Sequence, residues 1–492
     1  MYAGNTQVFQ YLAFNLSFVT LGFRNFRQLN EDTAMPAHPI DFQIQSGFYS
    51  TPELTDIFDE KTRVGRWLRV EAALAQVQGE LGIIPQRAAE EIAKKSSLDL
   101  LDLAEVAREY EQSRNSLMPV LKVLKQVCDP EHSEFIHFGV TTQDVLDTAQ
   151  ILEQKDALAV IYRDLKKLEE LLCSLAHQHR ITPMIGRTHG QQALPITFGL
   201  KICIWAAEIR RHIERLISLG PRLFVIQLSG AVGTMAALGP QARKVASLTA
   251  ERLGLSSSVP HWHTSRDIVA EGAAIYGLIC SSLEKMASEI VQLSKTEIGE
   301  VAETAANQAQ SSSTMPHKKN PVISQRIAVL SRHARALVSV VMDSMVHEHE
   351  RDARALWSEW LATPQIAIYT GTALHFLLSV VENLEVRPER MLENLYRQKE
   401  LVVSEWLMFK LAEKMGKTQA QEKVQALIRL SENSKRILKD ILLEDPDIGP
   451  FIAKENYEYL DKPECYCGLA AEIVDDTLKD LEAKRRHDPE SL

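Results

Sequence analysis

The chain has few cysteines, few aromatic residues and no concentration of positive charge. Its cysteines are scattered through 492 residues, mostly in apolar helical contexts, which predicts reduced core residues in a cytosolic protein and not a disulfide framework. They are Cys128, Cys173, Cys203, Cys280, Cys465 and Cys467. The last two lack a companion pair, so we expect no metal site there. The aromatic content of 7% suits helices that pack through Leu, Ala, Ile and Val.

A negative net charge and short apolar runs argue against two further classes of protein. The net charge of -10 and the lack of a basic stripe argue against a nucleic-acid surface. The apolar run at residues 18–23 is far too short to span a bilayer, and no other segment is apolar enough, so we expect no membrane partner. We interpret residues 1–40 as a poorly ordered tail, or as residues upstream of a true start near Met35. The sparse arginines argue against a transit peptide.

Helical patterns dominate the rest of the chain, and alternating strand patterns are nearly absent. The first helix is expected to start at Ser50–Glu53, where two hydroxyl residues precede a proline. Thr141 or Thr142 is expected to cap a helix that runs without Pro or Gly to about Arg180. Four more long helices are predicted over residues 194–219, 266–303, 321–349 and 364–383.

These patterns predict an all-α protein of three helical domains with a central bundle of five long helices. The predicted boundaries are a tail at 1–40, an N-terminal helical domain at 41–130, a catalytic bundle at 131–385 and a C-terminal helical domain at 386–492. Some of the long helices have too much apolar surface for a monomer, so we infer an oligomer whose bundles pack together.

The stretch from Ser311 to Pro321 has the composition of a loop that holds an anion. Hydroxyl side chains and backbone N–H groups come first. A cation at Lys318 and an amide donor at Asn320 follow, just before Pro321 opens a helix. A solvated serine-rich linker is the alternative interpretation of the hydroxyl cluster.

Residues 312–321 resemble the signature loop of the fumarase/aspartase superfamily, usually written Gly-Ser-Ser-x-Met-Pro-x-Lys-x-Asn-Pro. Ser311 stands where the family has glycine. Residues 137–148, 186–195 and 227–234 resemble segments of the branch that contains adenylosuccinate lyase and 3-carboxy-cis,cis-muconate cycloisomerase. The resemblance implies a homotetramer with a shared helical core and active sites built from three subunits. It also implies a small dicarboxylate or tricarboxylate substrate and neither a metal nor an organic cofactor.

The superfamily reaction is a β-elimination through a doubly negative carbanion, which fixed donors and cations must stabilise. The resemblance makes Ser312 the general base, with Ser313 in reserve, and His189 the general acid. We expect His137 and His263 to serve in packing or hydrogen bonding. The residues assigned to substrate binding are Thr141, Thr142, Lys318, Asn320, Asn115, Ser116, Gln191, Arg351 and Arg266.

The sequence combines features of both enzymes in the branch. Asn115 and Ser116 stand where adenylosuccinate lyases carry His-Asp, and Gln192 replaces a second histidine. Gln325 replaces the glutamate that pairs with the acid histidine. Residues 353–360 do not follow the pattern of Ser and Arg residues that holds the nucleotide phosphate in adenylosuccinate lyases, and they contain two tryptophans as in the cycloisomerases.

We therefore expect a cytoplasmic, adenylosuccinate-lyase-like enzyme that forms fumarate from a succinate-type substrate, without a clear nucleotide site. Three alternatives stay open. They are a cycloisomerase that adds a carboxylate to a muconate double bond, a lyase for a small amino- or nitro-succinate, and an inactive structural relative.

Overall fold

The computed structural model describes residues 36–45, 47–257, 260–304, 315, 318–449 and 458–492. The chain divides into two compact units, Met1–Ser46 and Gly47–Leu492. In the described part of the first unit, Pro39–Asp41 form one turn of 3-10 helix, and the Nδ1 atom of His38 accepts a hydrogen bond from the Ile40 amide at 3.2 Å. The predicted tail, residues 1–40, lies mostly outside the described residues.

The second unit is built almost entirely of helices, which confirms the predicted all-α class. Its α-helices within the described residues are α1 Pro52–Phe58, α2 Glu60–Glu80, α3 Gln86–Lys95, α4 Leu103–Ser113, α5 Met118–Val127, α6 Pro130–Ser133, α7 Thr142–Gln178, α8 Phe198–Leu223, α9 Ala242–Leu253, α10 Asp267–Leu293, α11 Val322–Asp343, α12 Ala353–Glu382, α13 Pro388–Tyr396, α14 Ser404–Met415, α15 Lys417–Ser434, α16 Leu438–Glu444, α17 Glu458–Asp461 and α18 Ala470–Arg485.

Among the described residues, three small two-stranded sheets accompany the helices. Their strands are β1 Pro183–Thr188, β2 Gln191–Thr197, β3 Val225–Ile226, β4 Ser256–Ser257, β5 Val301–Glu303 and β6 Leu384–Val386. The pairs β1–β2 and β5–β6 are antiparallel, whereas β3–β4 is parallel. In the longest pair, Pro183 lies opposite Thr197 and Thr188 lies opposite Gln191.

Five long helices, α7, α8, α10, α11 and α12, form the central bundle. Helix α7 packs on α8 and α12, α10 packs on α8, α11 and α12, and α11 packs on α12. The 37 residues of α7 span about 55 Å, and Leu165, Leu168 and Leu172 on its inner face are fully buried. Thr141 is the N-cap of α7, as the sequence predicts. The bundle therefore supplies a rigid frame with two well-separated ends.

The structure corrects the predicted bounds of the other long helices. The helix expected from residue 194 begins at Phe198, because residues 191–197 form β2 and the Thr197 hydroxyl caps α8 by accepting from the Leu200 amide at 3.1 Å. The helix expected to reach residue 303 ends at Leu293. The helix expected over 321–349 covers Val322–Asp343.

Pro364 lies inside α12 and does not start it. The helix begins eleven residues earlier at Ala353, where the Asp352 carboxylate accepts a hydrogen bond from the Arg354 amide at 3.0 Å. Proline costs one backbone hydrogen bond in such a position. By length and composition α12 would be able to cross a membrane, with a mean hydropathy of 1.3, but 72% of that apolar window is buried in the protein. A buried core helix meets the same criteria.

The C-terminal helices have a hydrophobic cluster of their own. Leu395, Leu407, Leu411 and Leu442 are buried in it, and Trp406 packs against Tyr459 with ring centroids 5.5 Å apart. The predicted division into three helical domains at residues 130 and 385 stays a prediction.

Candidate active site

The buried carboxylate of Asp144 organises the start of α7. It is fully buried and accepts hydrogen bonds from the backbone amides of Thr141 at 3.0 Å and of Ser229 and Gly230 at 2.9 Å each. The Nε2 atom of His263 lies 3.1 Å from the same carboxylate. Asp144 therefore fixes the helix terminus, the 229–230 loop and a buried histidine relative to one another. Thr141 and its neighbour Thr142 stay partly exposed at this terminus.

The loop beside this terminus is shaped by glycines in the left-handed region. Gly230 and Gly233 have φ angles of 77° and 83°. A Cβ atom on Gly233 would lie 1.9 Å from Nε2 of His261, so only glycine allows the loop to rest on that ring. Burial and the neighbouring His263 lower the pKa of His261. The ring therefore tends to stay neutral.

Arg351 lies next to the same loop. Its side chain is exposed, and its Nη2 atom donates a hydrogen bond to the Ala231 carbonyl at 2.8 Å. The structure thus brings three predicted substrate ligands, Thr141, Thr142 and Arg351, to one end of the bundle. A hydroxyl pair at a helix N-terminus with an arginine nearby is an arrangement that suits a carboxylate.

A second histidine supports the approach to α7. The Nδ1 atom of His137 lies 2.6 Å from the buried carboxylate of Glu71, and the backbone of His137 is left-handed with φ 61°. Burial opposes the charged imidazolium, but the hydrogen bond and charge of Glu71 raise the pKa of His137 overall. Gln78 donates to the Phe138 carbonyl at 2.8 Å. Contacts from α2 therefore hold this loop, in agreement with the hydrogen-bonding role expected for His137.

Asn115 and Ser116 lie at the start of α5. The Oδ1 atom of Asn115 accepts from the amides of Leu117 at 3.1 Å and Met118 at 3.0 Å, so this oxygen caps the helix. Ser116 is partly exposed and lines a large cleft between α1, α2, α4, α5, α7 and α12.

Arg266 has no solvent-exposed surface. Its guanidinium is bound on both sides by the buried carboxylates of Asp147 at 2.8 Å and Glu359 at 3.0 Å, and it lies over the Trp262 ring at 4.8 Å. Breaking such a network would leave buried charges unpaired. Arg266 therefore joins α7, α10 and α12, and its buried side chain presents no surface to a substrate.

His189 lies at the tip of the β1–β2 hairpin. His189 and Gly190 are the two central residues of its turn, with φ angles of 52° and 76°, as a type I′ turn requires. Both His189 and Gln191 are exposed. An imidazole exposed at the tip of a hairpin is accessible to a substrate or to another chain.

A buried ion pair anchors the hairpin below its tip. Arg187 donates to both oxygens of Glu300 at 2.9 and 2.6 Å, and the Glu300 side chain is fully buried. Asn394 of α13 donates to Glu300 at 2.8 Å. The hairpin is thereby tied to the segment that follows α10 and to the C-terminal helices.

Lys318 and Asn320 precede α11. Lys318 is exposed and Asn320 is partly exposed. The buried Glu303 carboxylate accepts from the amides of Ile323 at 2.8 Å and Ser324 at 2.9 Å, which caps the helix. The proposed base Ser312 and its reserve Ser313 lie outside the described residues.

The candidate residues fall at opposite ends of the bundle. Helices α7, α10 and α12 begin at the end where Arg266 joins Asp147 and Glu359. At the other end, Arg187 and Glu300 join the hairpin to the strand that leads toward α11. Thr141, Thr142 and Arg351 thus lie at the first end, and His189, Gln191, Lys318 and Asn320 lie at the second. The length of α7, about 55 Å, separates the two sets within one chain.

Three carboxylates position the site through contacts that were not predicted from the sequence. Asp144 was visible in the 137–148 segment, but its partners at 229, 230 and 263 are distant in sequence. Glu71 contacts His137, which is 66 positions further along the chain, and Glu303 contacts Ile323, which is 20 positions further along. An acidic residue three places into a helix is a local capping signal that would have identified Asp144 alone.

One group of described residues has metal-ligand geometry. It consists of Glu91 in the middle of α3, Asp129 just before α6 and His132 within α6. Glu91 already accepts hydrogen bonds from the Asp129 amide at 2.7 Å and from His132. These mutual contacts account for the cluster without an ion.

Comparison with known proteins identifies the family. A profile of a family described as lyase matches residues 48–335, more than half of the chain. The chain is 38% identical to N-acetyl-S-(2-succino)cysteine lyase of Enterococcus italicus, over 92% of this chain and 99% of that protein. The chain belongs to the fumarase/aspartase superfamily.

Two further members of the superfamily represent the branches named from the sequence. Adenylosuccinate lyase of Methanocaldococcus jannaschii is 38% identical over 92% of this chain and 97% of its own length. The crystal structure of 3-carboxy-cis,cis-muconate lactonizing enzyme from Pseudomonas putida superposes with a TM-score of 0.82 at 33% identity, covering 89% of this chain and 98% of that one.

These comparisons confirm the predicted superfamily and establish this chain as one of its lyases. They leave open whether it is a C–N lyase or a cycloisomerase, because relatives of both kinds match over nearly the whole chain. The tetramer, the cytoplasmic location and the individual site residues stay predictions.

Proposed function

We propose that the protein catalyses β-elimination from a succinyl-type substrate and releases fumarate. The observation that carries the proposal is that the two ends of the bundle present different groups, and that elimination needs both sets. One end presents the hydroxyls of Thr141 and Thr142 at a helix N-terminus held by Asp144. The other end carries His189 at the tip of the β1–β2 hairpin and Lys318 before α11. Two relatives, adenylosuccinate lyase and N-acetyl-S-(2-succino)cysteine lyase, have a succinyl or succino group in their named substrates.

In this mechanism Ser312 removes a proton from the carbon next to a carboxylate, and the electron pair moves into that carboxylate to form a dianion. Lys318, Asn320 and the two threonine hydroxyls stabilise the added charge, because fixed donors are most effective where charge develops. The bond from the neighbouring carbon to the leaving atom then breaks. His189 donates a proton to the leaving group, so the products are fumarate and the neutral amine, alcohol or thiol.

We propose that the active form is a homotetramer with shared sites. The groups required for elimination lie about 55 Å apart in one chain, so a complete site needs other copies. Large apolar side chains are also exposed on the long helices, as expected for a surface that packs against another copy. They are Ile204, Leu278, Val329, Trp357 and Leu361. Light scattering should give a mass near four times 55.4 kDa, and a monomer would contradict this assembly.

A second candidate is the addition of a carboxylate to a double bond within 3-carboxymuconate. Trp357 and Trp360 in α12 favour it, because they resemble the cycloisomerases and replace the phosphate-holding pattern of adenylosuccinate lyases. The likeness to the Pseudomonas putida enzyme also supports it.

Ultraviolet absorbance separates the candidates, because fumarate and muconate are conjugated. The purified protein is offered N-acetyl-S-(2-succino)cysteine, adenylosuccinate, aspartate, nitrosuccinate and 3-carboxymuconate, one at a time. Fumarate formation from a succinyl compound is the expected result. Loss of muconate absorbance without fumarate from any compound would favour the cycloisomerase. No reaction with any of them would indicate an inactive relative.

The role of Ser312 has its own test. Ser312→Ala should bind substrate with unchanged affinity but lose turnover by at least about a hundredfold, as expected for removal of a general base. A rate close to that of the unaltered protein would reject the assignment.

A further inference from the structure

A cleft of about 820 Å³ lies between the N-terminal helices and the bundle. This volume is in the range of sites that bind drug-sized molecules. Its walls contain four large aromatic side chains on four helices: Phe58, Trp67, Tyr110 and Trp360. Flat aromatic groups bind well between such rings.

The cleft continues from the start of α7. Leu146, Gln150 and Glu153 line it and follow Thr142 at intervals of four, four and three residues, so all four lie on one face of the helix. Thr142 and Glu153 are separated by about 16 Å along the axis. Ser116, a predicted substrate ligand, also lines the cleft. A molecule bound at the Thr142 end can therefore extend into the cleft.

Helix α4 has an apolar face that the cleft leaves without a protein partner. Leu103, Val106, Ala107 and Tyr110 recur at helical spacing and all line the cleft, yet no residue of α4 is buried. The helix packs mainly on α5. An occupant of the cleft would cover this apolar face.

The charges around the cleft do not suit a phosphate. Arg63 is already bound through two nitrogens to Glu153, at 2.8 and 3.1 Å. The other charged wall residues are Glu60, Glu111 and Lys61, an excess of one negative charge. Gln150 is 6% exposed and donates its amide to Glu359 at 2.6 Å, while its Oε1 accepts no hydrogen bond from any described residue. That oxygen has no accessible surface, so the exposed carboxylates of Glu60 and Glu111 are the acceptors, and the negative charge, that the wall offers to an occupant.

We propose that this cleft binds the leaving group of the substrate, and that this group is a flat aromatic moiety with an N–H or O–H donor and no phosphate. The inference rests on the proposed elimination, because the leaving group is placed relative to the Thr142 end. The lining of this cleft distinguishes the chain from an enzyme that acts on a phosphorylated nucleotide. Such an enzyme would need free cations where this cleft has Trp360 and carboxylates.

The test measures binding without chemistry. Calorimetry on the whole protein compares two matched pairs, adenosine with AMP and phenol with phenyl phosphate. The uncharged member of at least one pair should bind at least tenfold more tightly than its phosphate. Equal or tighter binding of the phosphates, or no binding of either uncharged compound, would overturn the proposal.

Two variants on α4 locate the binding. Ala107→Trp places an indole in the cleft and should weaken binding of the uncharged compound at least tenfold. Ala104→Trp makes the same change on an exposed face of the same helix outside the cleft and should leave binding unchanged. Equal effects of the two would contradict the location. Binding without fumarate formation from any succinyl compound would reject the elimination alone, and fumarate formation without such binding would reject the cleft alone.

Discussion

Replacing Asp144 with asparagine should destabilise the protein far more than a surface substitution of the same kind. One carboxylate oxygen accepts from the Ser229 amide and lies near His263, and the other accepts from the amides of Thr141 and Gly230. An asparagine NH2 group must replace one of these oxygens, so a buried backbone amide, that of Ser229 or that of Gly230, loses its acceptor whichever way the side chain turns. At about 1–3 kcal/mol for a buried unpaired group, the free energy of unfolding should fall by about 1–3 kcal/mol.

The assay is urea unfolding at fixed protein concentration, with Asp59→Asn as the matched control. Asp59 is an exposed N-cap whose Oδ1 accepts from the amides of Lys61 at 2.9 Å and Thr62 at 3.4 Å. Asparagine caps a helix about as well as aspartate, so the control should change stability by less than about 0.5 kcal/mol. If Asp144→Asn also cost less than about 1 kcal/mol, the role of this carboxylate as the central acceptor would be refuted.

Two further substitutions test the neighbouring loops. Burial opposes the charged form of His137, but the hydrogen bond to Glu71 and the charges of Glu71 and Asp144 together outweigh it and raise the pKa of His137 above its usual value near 6.5. The stability that this histidine contributes is therefore complete below that value and is lost as pH rises through the raised pKa. The difference in unfolding free energy between the protein and His137→Asn should therefore shrink from pH 5.5 to 8.5, and a constant difference would contradict it. Gly233→Ala should cost more than about 1 kcal/mol by thermal or urea unfolding, because its Cβ would collide with His261. Gly82→Ala, at φ 66° with nothing within 4 Å of the added Cβ, isolates the backbone strain, and equal costs for the two would rule out the collision.

Local signals in the sequence were sufficient for the helices that start with a cap and run without interruption. Thr51 before Pro52 marks α1, and Thr141 marks α7, whose 37 residues contain neither Pro nor Gly. Pro364 misled the prediction of α12, since proline is usual at a helix start and here lies in the interior. The helix starts at Ala353, and its N-cap is Asp352, a local capping signal that the prediction did not use.

The β1–β2 hairpin was missed because its stability is not local. Its seven-residue second strand contains Pro195, and its turn requires positive φ at His189, which disfavours a strand assignment from sequence. The ion pair from Arg187 to Glu300, 113 residues away, holds it in place. The same limit applies to the site: motifs identified single residues, while Asp144 acts through partners up to 119 residues away.

The central claim is that groups from opposite ends of α7 meet only between different copies of the chain. The direct test is co-expression of two variants that are each inactive, His189→Gln and the double variant Thr141→Ala/Thr142→Ala. If the histidine and the threonines of one site come from different chains, random mixed tetramers should recover about a quarter of the fumarate-forming activity of the unaltered protein. Activity no higher than that of the two separate variants would contradict a site shared in this way.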